Sequence, residues 1–322
     1  METFEWIDAS SVEDAVRLLS AGSSSHPVVA KAGGMDLLDL MKEGVVRPAR
    51  VVNLRSIAEL DVLRMDERSL HLGALVTLSR IAQDLQLQQH YNALTAAAAH
   101  AATPQVRNVA TIGGNLLQRT RSWYFRNEHL HDRRVSSAAD SENQYDAIFD
   151  NAQTAMVHAS TPATALLAYH ATVHLTGPRG KRSVPLDDLF LAPDAARASD
   201  AAIARDEVLT HVSVPAPRPN TRAAYHKQTE RDSYDWPICD VAVVLEMEGD
   251  VVASASIVLG WVAPTPRRAG ASERALIGRR IDAASATEAA RAAVRGATPL
   301  SKNGYKVQVL EAVVRRTILA AR

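Results

Sequence analysis

The sequence predicts a mixed α+β chain, and three observations carry that prediction. Over roughly the first sixty residues, short apolar runs alternate with helical patterns, as in a small βαβ unit. From Thr120 to Asn151 a polar, aperiodic stretch breaks the pattern. After Tyr225 the pattern changes again, to two alternating runs around Gly249-Asp250 and then to helices.

Each element has a local reason. Ser10-Ser11-Val12-Glu13 places a hydroxyl before an acidic first turn, and Ala15, Val16, Leu18 and Leu19 follow at helical spacing. Pro27 to Ala30 reads as a buried strand, Leu37 to Met41 as a helix and Val51 to Leu54 as the next strand. Ser69 to Ala74 is a strand, Thr77 caps a helix running to Leu85, and Leu94 to Ala102 is an alanine-rich helix that stops before Pro104. Thr164 to Tyr169 reads as helix, and Ala171 to Leu175 with Gly177 to Gly180 as strand and turn. Val212 to Pro219 is proline-rich and reads as a boundary. Asp240–Met247 and Val251–Leu259 form a hairpin, and helices are expected over Ala269–Ile277, Ala284–Arg295 and Tyr305–Ala320. Asp187-Asp188, after Pro185, is a helix start.

Composition narrows the function classes. The 322 residues predict two or three domains. Lys plus Arg and Asp plus Glu are 36 each, so there is no basic excess for general nucleic-acid binding. The single cysteine, Cys239, excludes an intrachain disulfide and any all-cysteine metal site; it is expected to pack as a small apolar residue. The start is acidic and no run of about eighteen apolar residues occurs, so a soluble, cytoplasmic chain without a membrane span is expected.

Two glycine pairs carry the chemistry. Ala32-Gly33-Gly34-Met35-Asp36-Leu37 follows a strand, and adjacent glycines let the backbone approach a ligand and present N–H groups to an anion. It matches neither the Walker pattern nor the Rossmann fingerprint, and alone it is as readily an ordinary strand–helix turn. In Asn108 to Leu116 a second pair, Gly113-Gly114, sits between Thr111 and Asn115, whose side chains can bond phosphate or sugar oxygens. Two such loops in one chain suit a dinucleotide held by backbone dipoles.

With these two loops in this order, the sequence resembles the FAD-binding (medium) subunit of the molybdenum hydroxylases, the xanthine dehydrogenase, aldehyde oxidoreductase and carbon monoxide dehydrogenase group. His71 to Val76, Gly260 to Ala269 and Pro299 to Lys306 resemble further family segments, and Gln118 to Arg126 resembles the branch of periplasmic-type aldehyde oxidoreductases. The resemblance implies a two-subdomain FAD-binding fold over residues 1–219, with subdomains at about 1–57 and 58–219 and a loop insertion at about 120–152. A C-terminal domain with an antiparallel sheet and helices would cover 220–322. It implies non-covalent FAD, with Ala30, Lys31, Ala32, Gly33, Gly34, Met35, Asp36 and Leu37 around the pyrophosphate. Thr111, Ile112, Gly113, Gly114 and Asn115 would hold its second face. Leu209 matches an apolar position beside the cofactor. Lys227 matches a lysine near the flavin, where a cation stabilises negative charge on the reduced ring; its other reading is a solvated surface lysine. No catalytic residue is assigned.

The sequence also departs from the family. Members with this Gln118–Arg126 segment usually bind a [4Fe–4S] cluster in the insertion, which needs four thiolates. Here Ser122, a position near Ser136, one near Thr154 and the remaining one all lack cysteine, so no cluster is expected. Thr161 stands where the family usually has Asp, and Met35 where it has Thr. Losing two such hydrogen bonds weakens FAD roughly tenfold to several hundredfold without abolishing binding. His129, His131 and His158 with Asp132 form no placeable metal site and read as polar loop residues. Lys302 and Lys306 read as a helix cap and solvated face, with partner docking as the other reading.

The leading functional expectation is a subunit that passes electrons from a molybdopterin-binding large subunit and a [2Fe–2S] small subunit to an external acceptor. The alternatives are a stand-alone flavoenzyme, as a homodimer, oxidising a small molecule, and a non-catalytic paralogue with weak or no FAD binding.

Overall fold

The computed structural model describes residues 2–127, 141–193, 197, 199–232 and 234–322. His129, His131, Asp132 and Ser136 lie outside them.

The N-terminal βαβ unit forms as expected. Strands β1 (Glu5–Asp8), β2 (Val28–Lys31) and β3 (Arg50–Asn53) make a parallel sheet in the order β1-β3-β2. The helix Val12–Ser20 begins where the sequence places it, because the Ser11 hydroxyl accepts from the Asp14 N–H at 3.1 Å. Its apolar face, Val12, Ala15, Val16, Leu18 and Leu19, buries against Val28 and Val52, and then against Leu75 and Val208 of the next layer.

That layer is a five-stranded antiparallel sheet, ordered β4-β5-β8-β6-β7, made of β4 (Leu63–Met65), β5 (Ser69–Gly73), β6 (Thr172–Gly177), β7 (Gly180–Pro185) and β8 (Val208–Pro215). Side chains alternate across it. Leu70, Leu72, Val173, Leu175, Val212 and Val214 point into a core roofed by the helices Leu78–Gln83, Leu85–His90, Asn92–Ala99 and Thr161–Ala168. Within the proline-rich stretch Val212–Pro219, strand β8 runs on to Pro215 because Val212 and Val214 are core residues, and the chain leaves the sheet only after them.

The C-terminal sheet has the order β12-β11-β10-β9, from β9 (Thr221–Gln228), β10 (Cys239–Glu248), β11 (Val251–Gly260) and β12 (Arg267–Arg268). The expected hairpin is β10–β11, turning at Gly249 with φ +58°. Strand β10 is buried on both faces. Cys239, Val241, Val243 and Leu245 face the helices Gly270–Leu276, Ala283–Ala293 and Tyr305–Ala320, whereas Ala242 faces the helices of the central layer. Cys239 is an apolar filler, as expected, and burial pushes its thiol up to about 12. Asp187 begins the short helix Leu186–Leu189 and pairs with Arg268 at 2.8 Å.

The described part of the insertion forms neither helix nor strand, and it is anchored: Phe125 packs with Leu40 and Met156, and Ile148 and Phe149 enter the C-terminal core. One expectation fails. Lys306 is not a solvated lysine. It is fully buried, and its ammonium donates to the carbonyls of Tyr145 at 2.8 Å, Asp146 at 3.0 Å and Trp261 at 2.7 Å. Three acceptors satisfy the ammonium, although burial still lowers its pKa to about 8. Lys302 bonds Glu142 at the surface. Among the described residues no helix is long and apolar enough to cross a membrane.

The outward face of the five-stranded sheet carries a column of imidazoles. His71 stacks on His211 with centroids 4.2 Å apart, and His211 on His174 at 4.0 Å. Burial first, then the neighbouring His174, His71, Arg64 and Lys181, push His211 down to about 4; burial also lowers His71 and His174. Each ring binds a proton less readily folded than unfolded, where the value is about 6.5. Its contribution is present above pH 6.5 and is lost as the pH falls from there towards about 4. The urea midpoint of the wild type should therefore drop over that window, and His211→Gln should drop less. An equal drop in the variant would count against the column as the source.

Candidate functional site

A cleft of about 620 Å³ opens where the carboxyl end of β2 meets the five-stranded sheet and the C-terminal sheet. Ala30, Lys31, Ala32, Gly33, Gly34, Met35, Asp36 and Leu37 line it on one side, and Thr111, Gly113, Gly114 and Asn115 on the other. Leu209, Thr161 and Lys227 complete the wall. Of the residues named from sequence, only Ile112 is not brought in. Its side chain is fully buried in the central core, so its place is structural.

The glycines explain why the two loops can meet. A Cβ on Gly33 would lie 2.3 Å from the Val109 carbonyl oxygen, so any side chain there drives the loops apart. Gly34 has φ +83°, a conformation L side chains rarely adopt. A Cβ on Gly113 would press on Ala74 at 2.9 Å. Gly114 donates to the Thr111 hydroxyl at 3.2 Å, which caps the turn Ile112–Leu116.

Donors converge on this space. Among the described residues the backbone N–H groups of Gly33, Gly34, Met35 and Asp36 have no acceptor within the chain. Such a run is an anion-binding concavity. Asn115 is oriented by Ser160, whose hydroxyl donates to its Oδ1 at 2.5 Å, so the amide N–H₂ is left for a ligand. Lys227 is half-buried and not a free surface lysine. Its ammonium donates to the His100 carbonyl at 2.8 Å, and burial lowers its pKa.

Asp36 turns away from the concavity. Its carboxylate accepts from the Arg119 N–H at 2.9 Å and from the Arg126 guanidinium at 2.6 Å, and it pairs with Arg121 at 3.0 Å. Arg126 also reaches Asp39 at 2.7 Å. These arginines fasten the start of the insertion to the helix Leu37–Lys42 beside the first glycine loop. Arg121 in turn lies over the Trp236 ring, which packs on Trp261. Arg119 and Arg121 stand inside the quoted Gln118–Arg126 segment, but nothing in the sequence marks Trp236, or the turn Ala101-Ala102-Thr103, as cleft residues.

The iron and metal expectations are also placed. Of the positions where the resemblance expects cluster cysteines, Ser122 and Thr154 are among the described residues, and Cys239 lies apart in the C-terminal core. His158 is buried against Phe190 and accepts from the Ser160 N–H at 3.3 Å, with its pKa pushed down to about 4 by burial. It is a packing histidine. Among the described residues no group of three or more His, Cys, Asp or Glu is placed to hold a metal ion.

A concavity of free N–H groups facing a second glycine turn, with apolar walls and a cation at one end, suits a dinucleotide held through its diphosphate. A diphosphate fits the N–H run, and an added Cβ at any of three glycines would fill or distort its cradle. Comparison with known proteins agrees. Residues 2–217 match the FAD binding domain of molybdopterin dehydrogenases, and residues 224–321 match the CO dehydrogenase flavoprotein C-terminal domain. The chain is 30% identical over 252 residues to the aldehyde oxidoreductase FAD-binding subunit of Escherichia coli, covering 76% of this chain and 78% of that one. It is 28% identical over 322 residues to the carbon monoxide dehydrogenase medium chain of Hydrogenophaga pseudoflava, covering 99% and 96%. A solved carbon monoxide dehydrogenase from Hydrogenophaga pseudoflava, lacking the Mo-pyranopterin moiety, superimposes with a TM-score of 0.78 at 27% identity, covering 99% and 97%. The chain belongs to the FAD-binding subunits of the molybdenum hydroxylase family, and FAD is its cofactor.

Gly33→Ala tests the cradle. With Cβ against the Val109 carbonyl, FAD affinity in a fluorescence titration should fall at least tenfold, at a stability cost of about 1–3 kcal/mol. Gly304→Ala, where a Cβ meets nothing within 4 Å, should change neither. Unchanged affinity in Gly33→Ala would remove the first glycine loop from the site.

Proposed function

We propose that this chain is the electron-passing flavoprotein of a molybdenum hydroxylase-type complex. It takes electrons from a molybdopterin-binding large subunit through a [2Fe–2S] small subunit and gives them to an external acceptor. The observation that carries the reading is the run of free N–H groups from Gly33 to Asp36 facing the Gly113-Gly114 turn. With one cysteine, this chain lacks the thiolates an iron–sulfur cluster needs, so in this reading the electrons arrive through another polypeptide. The relatives named above are a subunit and a medium chain of larger enzymes.

In this reading FAD supplies the exchange between one-electron and two-electron chemistry. The chain's residues supply the setting. The backbone of Gly33 to Asp36 and the Asn115 amide hold the diphosphate and orient it. Leu209, on the cleft wall, would pack on the cofactor and exclude water. Lys227, fixed by the His100 carbonyl, keeps a positive charge where electron density accumulates. Met35 and Thr161 line the wall without a carboxylate, so affinity rests mainly on the backbone.

One feature favours a second reading, a stand-alone flavoenzyme acting on a small molecule. The branch that Gln118–Arg126 resembles carries a cluster in this insertion, and Ser122 and Thr154 offer no thiolate for one. The purified chain, expressed alone, should show flavin absorption near one FAD per chain and no iron. Expressed with its partners it should co-purify with two further chains. Turnover of a substrate by the isolated chain would favour the second reading, and no flavin after addition of excess FAD would overturn both.

A further inference from the structure

Arg121 stands between two walls of the cofactor cleft and touches both. It lines the cleft, as do Asp36 on the first glycine loop and Trp236 on the segment that follows β9. On one side its guanidinium pairs with the Asp36 carboxylate at 3.0 Å and donates to Gln118 Oε1 at 3.1 Å. On the other it lies over the Trp236 ring, 5.0 Å from the centroid. Trp236 in turn packs on Trp261, with ring centroids 5.5 Å apart. Trp261 is a fixed post. Its carbonyl accepts from the buried Lys306 ammonium at 2.7 Å, and its backbone is held at φ +62°, which bulky side chains rarely adopt. Asp36, Arg121, Trp236 and Trp261 thus make one continuous bridge beside the cleft, from the first glycine loop to the C-terminal sheet.

The bridge can part at one place without harm to either end. Asp36 does not need Arg121. The same carboxylate oxygen pairs with Arg126 at 2.6 Å, and the other accepts from the Arg119 N–H at 2.9 Å. Two guanidiniums crowded on one oxygen also repel each other. The Arg121 Nε is buried and has no acceptor among the described residues, so its N–H gains a partner in water when the side chain swings out. Trp236 is 51% exposed and gives up little burial when it moves. Its segment keeps a second tie to the insertion, because the Tyr145 hydroxyl donates to Glu230 at 2.8 Å. The contact between Arg121 and Trp236 is therefore the weak link between two ends that are held independently.

We propose that the Arg121–Trp236 contact is a latch on the cofactor cleft. Closed, it ties the first glycine loop to the C-terminal wall; open, it lets the dinucleotide enter and leave. This deepens the FAD reading above and rests on it. It gives the cysteine-poor insertion a task, the retention of a cofactor that no covalent bond holds. A latch acts on passage, so it slows entry and release by the same factor and leaves the equilibrium alone. A residue that grips the ligand slows release only. The two roles therefore have different kinetic signatures.

The test uses the full chain freed of flavin, with FAD as the probe. Stopped-flow fluorescence reads association, and release is read by mixing the loaded protein with an excess of a second FAD-binding apoprotein. Arg121→Gln and Trp236→Leu should each speed association and release together, fivefold or more, with Kd within about threefold of the wild type. The double variant should be no faster than either single one, because all three lose the same contact. Trp236→Phe keeps a ring under the guanidinium and should restore most of the slow exchange. Trp123→Leu, two residues from Arg121 but 80% exposed and outside the cleft lining, should change neither rate. The Trp236 variants alter an exposed ring and carry the test if Arg121→Gln fails to fold. Release that speeds alone, with Kd weakened by the same factor, would make these residues ligand contacts and overturn the latch. Unchanged rates in Arg121→Gln and Trp236→Leu would overturn the latch and leave the FAD reading intact. A wild type that binds no FAD would overturn both.

Discussion

Everything at the site depends on how closely two backbones can lie. The Val109 carbonyl sits where a side chain on residue 33 would have to be, and that contact brings the first glycine loop against the second. It fixes the spacing of the two cleft walls, and with it the aim of the N–H groups from Gly33 to Asp36. No side-chain charge performs this task. The acid of the first loop, Asp36, is spent on Arg119, Arg121 and Arg126, and so holds the loop's shape from behind. Recognition by backbone does not depend on the side chains at Met35 and Thr161, because main-chain donors survive side-chain substitution.

A few charges in this molecule are internal. Arginines fasten the insertion to the first loop, Arg119 pairs with the buried Asp200 at 2.8 Å, and Lys306 ties three carbonyls together. A buried ion or ammonium survives only when its neighbours satisfy it, and each of these does so with short bonds to fixed partners. Lys306 joins the segment at Tyr145-Asp146 to the turn at Trp261, and Trp261 packs on Trp236, which Arg121 overlies. The insertion and the C-terminal sheet thus meet beside the mouth of the cleft.

Much of this was legible in the sequence, for identifiable reasons. Ser11 and Thr77 announce their helices because capping is local chemistry. The hairpin shows because alternation and a turn glycine are adjacent in the chain. The glycine loops show because a residue without a side chain is conspicuous. What stayed hidden depends on contacts between distant residues. Val212 was obscured by nearby prolines, although its strand pairing is made with β5 and β6. Lys306 looked like any helix lysine, because its three acceptors lie at residues 145, 146 and 261. Ile112 sits between cleft residues and points the other way. Asp240 gave no signal, since its setting is made by Gly260 and Tyr225.

Strand β10 has a wider consequence. Alternate residues along it belong to two hydrophobic cores, Val241, Val243 and Leu245 to one and Ala242 to the other. Removing either core strips a wall from its neighbour, so neither half has a complete interior by itself. The chain should lose its structure in one cooperative step, although its sequence divides readily into two parts. Cooperativity of this kind also keeps the cofactor cleft, which draws walls from both parts, from coming apart piecemeal while the rest of the fold persists.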